Sequence, residues 1–162
     1  MSESGDISVQ QQAFDLAAEY VALRERAGDA GAIVTFTGLV REIYNPQVQD
    51  GVAEESPIQS LFLEHYPGMT EKCLQDILEQ AAGKWPLLAA RIIHRVGKLN
   101  PGEEIVFVGT ASAHRQAAFD AAQFMMDYLK SNAPFWKKQS TADGTHWVDS
   151  RQSDADAIKR WQ

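Results

Sequence analysis

Apolar positions along this chain switch repeatedly between a helical and an extended period. Over residues 14–26 they fall at Phe14, Ala17, Ala18, Val21 and Ala22, a helical spacing, and Gly28 stands where the helix would stop. Residues 32–40, AIVTFTGLV, are dense in β-branched and aromatic side chains and predict a buried strand. Residues 43–58 hold Pro46, Gly51 and Pro57 with several acids and no period, which predicts a mobile loop. A second strand is expected over 60–66, stopped by Pro67-Gly68. Met69–Lys84 then reads as an amphipathic helix with Leu74, Ile77, Leu78 and Ala81 on one face. Trp85-Pro86 ends it, because the residue before a proline is pushed out of helical geometry.

The second half repeats the scheme. Strands are expected over 88–96 and 105–111, with Asn100-Pro101-Gly102 turning between them. Ser112 is a good N-cap for a long helix over 113–131, whose inner face would carry Ala117, Ala121, Phe124, Met125 and Tyr128. Phe135–Thr141 and residues 145–149 predict a hairpin around Asp143-Gly144. Residues 1–10 read as a flexible tail, 11–152 as one domain, and 153–162 as a C-terminal tail with a short helix. This order of elements indicates an α+β fold, with helices packed on a mostly antiparallel sheet.

Charge narrows the function classes. With 22 Asp+Glu against 15 Lys+Arg the chain is acidic, which argues against a nucleic-acid binder. No apolar run approaches the roughly 20 residues of a membrane span, and the first residues lack a secretion signal, so a cytoplasmic protein is expected. A single cysteine, Cys73, rules out an internal disulfide and reads as helix filler. No metal-ligand spacing and no glycine-rich phosphate loop is present, and no metal or cofactor is expected.

Three polar clusters carry candidate chemistry. Leu39-Val40-Arg41 brings an arginine out of a buried strand into a loop, where its planar fork suits a phosphate. An ordinary surface arginine would give the same pattern. Ser112-Ala113-His114-Arg115 opens the long helix, whose free N–H groups and partial positive charge favour an anion. The two cations oppose that dipole by about 0.3–1 kcal/mol unless an anion arrives.

The third cluster is DYLKSNAPFWKKQ, residues 127–139. It sets Lys130, Lys137 and Lys138 around a proline corner beside Phe135 and Trp136. Lysines close together and partly stripped of water have lowered pKa values, which suits proton transfer or nucleophilic work. A solvated helix end whose basic residues complement the dipole is the plainer alternative. His114 and Lys130 lie 16 residues apart on one helix, or about 24 Å. They cannot share a small-molecule site within one chain, so either two sites exist or two copies combine. Among the remaining histidines, His94 shares a strand face with Ile92 and Val96 and reads as a core or interface residue. His65 would help to position a turn, and His146 lies beside Trp147 without a metal partner.

The segments VTFTGLVR (34–41), LEHYPGMTEK (63–72), IIHRVGKLNPGEEIVFVGTASAHR (92–115) and FMMDYLKSNAPFWKK (124–138) resemble the large, catalytic subunit family of molybdopterin synthases. The likeness runs in order from about Gly31 to Trp161. It implies a hammerhead-like α+β core with a small β-subdomain, assembled as a homodimer within a heterotetramer. The implied partner is a small ubiquitin-like sulfur carrier ending in a Gly-Gly thiocarboxylate. The implied reaction moves sulfur from that carrier to cyclic pyranopterin monophosphate, forming the molybdopterin dithiolene. By the same resemblance Lys130 and Lys137 are the catalytic residues. Leu39, Val40, Arg41, His114, Arg115, Lys138 and Gln139, together with both lysines, would form the substrate strip. The chain departs from some relatives at Leu39, where they carry lysine, and in its longer acidic loop 43–58. From the Leu39 change alone, a non-catalytic scaffold that binds a ubiquitin-like tail is the alternative.

Overall fold

The computed structural model describes residues 6–41, 43–44, 56–141, 144–148 and 152–162. Its elements run β1 (Ile7–Gln10), α1 (Leu16–Ala27), β2 (Ala32–Leu39), β3 (Ile43–Tyr44), β4 (Ser56–His65), α2 (Met69–Lys84) and β5 (Leu87–Arg95). They continue with β6 (Gly97–Leu99), β7 (Glu104–Ser112), α3 (Arg115–Asn132), β8 (Phe135–Thr141), β9 (Gly144–Val148) and α4 (Gln152–Ile158). A short 3-10 turn, Lys159–Trp161, follows. The α+β class is as expected.

One sheet has the order β1-β5-β7-β2 and carries helices on both faces. Central β7 explains the double cover. Alternate residues of a strand point to opposite faces, and here both sets are apolar. Val106 and Val108 belong to the large core cluster that also holds Leu74 and Ile77 of α2 and Phe124 and Met125 of α3. Ala111 faces the other way with Leu23 and Ala27 of α1, and Phe107 meets Phe14 edge-on at 6.1 Å. Thr110 is fully buried among these apolar neighbours, and its hydroxyl donates to the Ala118 carbonyl of α3 at 2.7 Å. That bond fixes the first turns of α3 against the sheet.

The second sheet has the order β3-β4-β8-β9, with β6 also paired to β4. Here β4 runs antiparallel to β8 in the register Leu63 with Lys137 and His65 with Phe135. The turn into β9 uses Gly144 at φ 124°, a region that other residues rarely adopt.

Several boundaries differ from expectation. Residues 7–10, expected in a flexible tail, form β1 and pair in parallel with Ile92–Arg95 of β5. Strand β4 begins at Ser56 and a two-residue β3 precedes it, so both ends of the expected loop 43–58 are strand; residues 45–55 lie outside the described residues. Ser112 closes β7 rather than capping α3, because its hydroxyl donates to the Pro86 carbonyl at 2.9 Å. The N-cap is His114, which makes no side-chain cap bond. Ala117 is only half-buried, and Ala118, Ala121, Ala122, Phe124 and Met125 form the inner face of α3.

The C-terminal residues expected as a tail pack onto α3. Trp161 meets Trp85 and Phe124 edge-on at 5.5 and 5.6 Å. Its indole Nε1–H donates to the buried Asp127 carboxylate at 2.7 Å, and Gln123 donates to the other oxygen at 2.8 Å. The Ser131 hydroxyl donates to the Asp154 carbonyl at 2.8 Å. These contacts brace the turn of α3 that carries Lys130.

Candidate functional site

The corner between α3 and β8 is set by residues far away in sequence. Asn132 ends α3, Ala133 is extended, and Pro134 leads into β8. The fully buried Thr70 of α2 holds this corner. Its hydroxyl donates to the Pro134 carbonyl at 3.1 Å and accepts from the Tyr66 N–H at 2.9 Å. The next ring, Phe135, lies on the imidazole of His94 from β5, with centroids 3.9 Å apart and planes 20° apart.

Strand geometry then separates the lysines. Phe135 and Lys137 share one face of β8, while Trp136 and Lys138 share the other. Across the ladder, residues paired with each other point the same way. Lys137 therefore sits beside the buried Leu63 and on the side of His65 and His94. Lys138 sits beside the exposed Phe62 and stands over the Trp147 ring, 5.5 Å from its centroid. Lys130, in the last turn of α3, is exposed.

His94 lies under the first ring of β8. It is buried, and its Nδ1–H donates to the Arg95 carbonyl at 2.8 Å. Burial chiefly, and then the charges of Lys130, Lys137 and His65, push its pKa down to about 3; the bond to Arg95 acts in the opposite sense. The imidazole is thus neutral at any ordinary pH. His65 also approaches Glu71 at 3.6 Å.

The other expected residues fall elsewhere. Leu39 is 57% exposed at a bulge that ends β2, and Arg41 is exposed two residues later. Val40, expected in the substrate strip, is instead a core residue. Its N–H donates to the Glu103 carbonyl, and its own carbonyl accepts from Gly102. His114 and Arg115 are exposed at the N-terminus of α3. Gly31 packs against this start: its N–H donates to the Ser112 carbonyl at 3.1 Å, and a Cβ there would collide with the Ala113 carbonyl. The 18 residues of α3 span about 27 Å, so the two ends of the helix form separate sites within one chain. Gln139 pairs through its backbone with Leu61 and His146; its side chain lies outside the described residues. Among the described residues no cluster of His, Cys, Asp or Glu could hold a metal.

Residues 9–132 match the family described as MoaE protein. The chain belongs to the MoaE family. It is 54% identical to the molybdopterin synthase catalytic subunit of Pseudomonas aeruginosa, over 96% of this chain and 98% of that protein. To the same subunit of Escherichia coli K12 it is 53% identical, over 96% and 97%. Among solved structures it resembles the MoaE protein of Burkholderia ambifaria, with TM-score 0.79, 44% identity and 97% of each chain covered. The family resemblance read from the sequence is therefore borne out.

Within this MoaE chain, Lys130 lies just before the α3–β8 corner, and Lys137 and Lys138 lie just after it on opposite faces of β8. The structure leaves Arg41 and the His114-Arg115 pair apart from them. Sequence reasoning placed His94 correctly inside the protein but missed its stack with Phe135 at the α3–β8 corner. The one signal available was its strand face, which also carries Ile92; the contact with Phe135 joins residues 41 apart.

Proposed function

We infer that this chain is the sulfur-transferring catalytic subunit of a molybdopterin synthase. It works with a small ubiquitin-like carrier whose C-terminus is a thiocarboxylate, and its substrate is cyclic pyranopterin monophosphate. The observation that carries this reading is the pair Lys130 and Lys137. They flank one corner: Lys130 lies in the last turn of α3, and Lys137 lies on β8 on the same strand face as Phe135, whose ring stacks on the buried imidazole of His94. A site that cleaves an acyl–sulfur bond needs an amine and a nearby positive charge, and family membership supplies the reaction.

The chemistry follows from the groups present. The carrier's sulfur bonds to a side-chain carbon of the pterin as a C–O bond at that carbon breaks and its oxygen takes up a proton or stays on the phosphate, which leaves a thioester between carrier and pterin. Lys130 opens it, either as the base that activates a water or as the amine that takes the acyl group before water releases it. Either route adds one water in all: oxygen returns to the carrier as a carboxylate, and the pterin keeps the sulfur as a thiol. Lys137 stabilises the negative charge that gathers on the acyl oxygen and departing sulfur. The exposed Arg41, His114 and Arg115 suit the substrate phosphate.

The length of α3 keeps His114 and Arg115 away from their own chain's lysines. In a homodimer one protomer's helix start completes its partner's lysine corner, and a carrier bound to each protomer makes the assembly a heterotetramer. A cytoplasmic location fits this reading; no described helix is long and apolar enough to cross a membrane.

The deciding assay combines the purified chain, the thiocarboxylated carrier and the pterin substrate. Dithiolene should form, and Lys130→Ala should abolish it while carrier binding stays nearly intact. Carrier binding without any product from the wild-type chain would overturn the enzymatic reading in favour of a scaffold.

A further inference from the structure

The turn that opens α3 is held between two strands. Ser112, the last residue of β7, is buried and pairs with Ala32 of β2 on one side and with Leu87 of β5 on the other. Its hydroxyl donates to the Pro86 carbonyl, and its own carbonyl accepts from the Gly31 N–H. Gly31 thus extends the β2 ladder one residue past Ala32 and lies against Ala113. A Cβ on Gly31 would stand 2.1 Å from the Ala113 carbonyl oxygen and 3.2 Å from its carbon, whereas non-bonded heavy atoms sit about 3.5–4.0 Å apart. The backbone of Gly31 has no positive φ. The demand for glycine here is therefore one of space, the close approach of two backbones.

Both sides of this contact are held. Ser112 is fixed by its two strand neighbours, and Ala30, just before Gly31, packs on the cluster of Leu23, Ala27, Ala89 and Ala111. The group left to move is the Ala113–His114 peptide. That unit is planar, so a displaced carbonyl oxygen turns the His114 N–H with it. His114 is the N-cap, extended at φ −129° and ψ 149°, and Arg115 is the first helical residue. Both side chains are exposed, and neither forms an ion pair among the described residues. Their aim is set by the backbone beneath them.

We propose that Gly31 is a positioning residue of the phosphate subsite: by leaving room for the Ala113 carbonyl, it sets the peptide from which His114 and Arg115 reach the substrate phosphate. The role rests on the reading of that pair as phosphate ligands, and Gly31 itself touches no substrate.

The first test needs no turnover. In Gly31→Ala, the backbone amide resonances of Ala113, His114 and Arg115 should move, while those of Lys130 and Lys137 stay as in the wild type. Unmoved signals at residues 113–115, changes that spread through the core, or a variant that fails to fold would each overturn the proposal, because each puts the role of Gly31 elsewhere.

The second test follows initial rates of the assembled synthase with thiocarboxylated carrier in excess. Gly31→Ala should raise KM for the pterin substrate about tenfold or more and leave kcat little changed. A loosened fold would do the reverse, lowering kcat at an unchanged KM. In a chain that already carries His114→Ala and Arg115→Ala, adding Gly31→Ala should raise KM no further, and an undiminished rise there would overturn the coupling. Arg115→Ala alone separates the two readings. If it leaves KM unchanged, the phosphate assignment fails; if it raises KM while Gly31→Ala does not, only the positioning role fails.

Discussion

The Trp161 indole donates to the Asp127 carboxylate at 2.7 Å, tying the last described turn of the chain to the middle of α3. Asp127 is buried one turn before Lys130, so this bond and its aromatic surroundings stiffen the segment that presents Lys130, the proposed catalytic amine. Trp161→Phe keeps most of the packing but removes the indole donor, and should cost about 1–2 kcal/mol. Trp161→Ala also loses the contacts with Trp85 and Phe124 and should cost about 2–4 kcal/mol. Urea unfolding of the two variants measures both losses, and an unchanged stability in Trp161→Phe would show that the hydrogen bond contributes nothing.

Thr70 offers a separate handle on the same corner. Thr70→Val is nearly isosteric, yet it strips the Tyr66 N–H and the Pro134 carbonyl of a partner inside the protein. A destabilisation of about 1–3 kcal/mol is expected. Amide exchange should show the added opening concentrated in the first residues of β8.

The faces of β8 predict unequal lysines. Lys137→Ala should lower the transfer rate by about 100-fold or more, as the loss of a charge-stabilising group does. Lys138→Ala removes a cation resting on the exposed Trp147 ring and should change the rate by no more than about two- to fivefold. Transfer rates measured side by side would reverse this order if the strand register placed the wrong lysine inward.

His94 also leaves a signature in the acid stability of the fold. Its folded pKa of about 3 lies below the ordinary 6.5, so the unfolded chain takes up the proton first as pH falls. The folded state has its full stability above about pH 6.5 and loses about 1.4 kcal/mol per pH unit from this group on the way down towards about 3. His94→Phe has no such proton to take up. Urea midpoints of wild type and variant at pH 5, 6 and 7 should therefore converge as the pH is lowered, and parallel curves would contradict the neutral buried imidazole.

The sequence was most legible where local signals were strong. Helix α2 has the expected bounds, since a clear apolar stripe is followed by a proline that forbids continuation. Strand β7 was equally plain from its unbroken apolar run. What escaped was short or held from a distance. The strand Ile7–Gln10 has four residues, two of them polar, and only its pairing with β5 makes it a strand. Ser112 carried a helix-cap signature, but Pro86 supplied a competing acceptor 26 residues away. At the site, the likeness to known sequences singled out Lys130 and Lys137. It could not show that Lys138 faces away or that Val40 is in the core, because strand facing depends on register with β4 and on the turn at Gly102.

The straight run of α3 also has a genetic consequence. Its two ends are too far apart to serve one site, so each working centre in the proposed homodimer draws lysines from one copy and His114 with Arg115 from the other. A single-site mutant would then be recessive in part: mixing a Lys130→Ala chain with a His114→Ala chain should restore one of the two centres. A chain carrying both changes behaves differently, because it spoils the centre it hosts and the one it completes. Expressed alongside the normal gene, it should act as a dominant inhibitor.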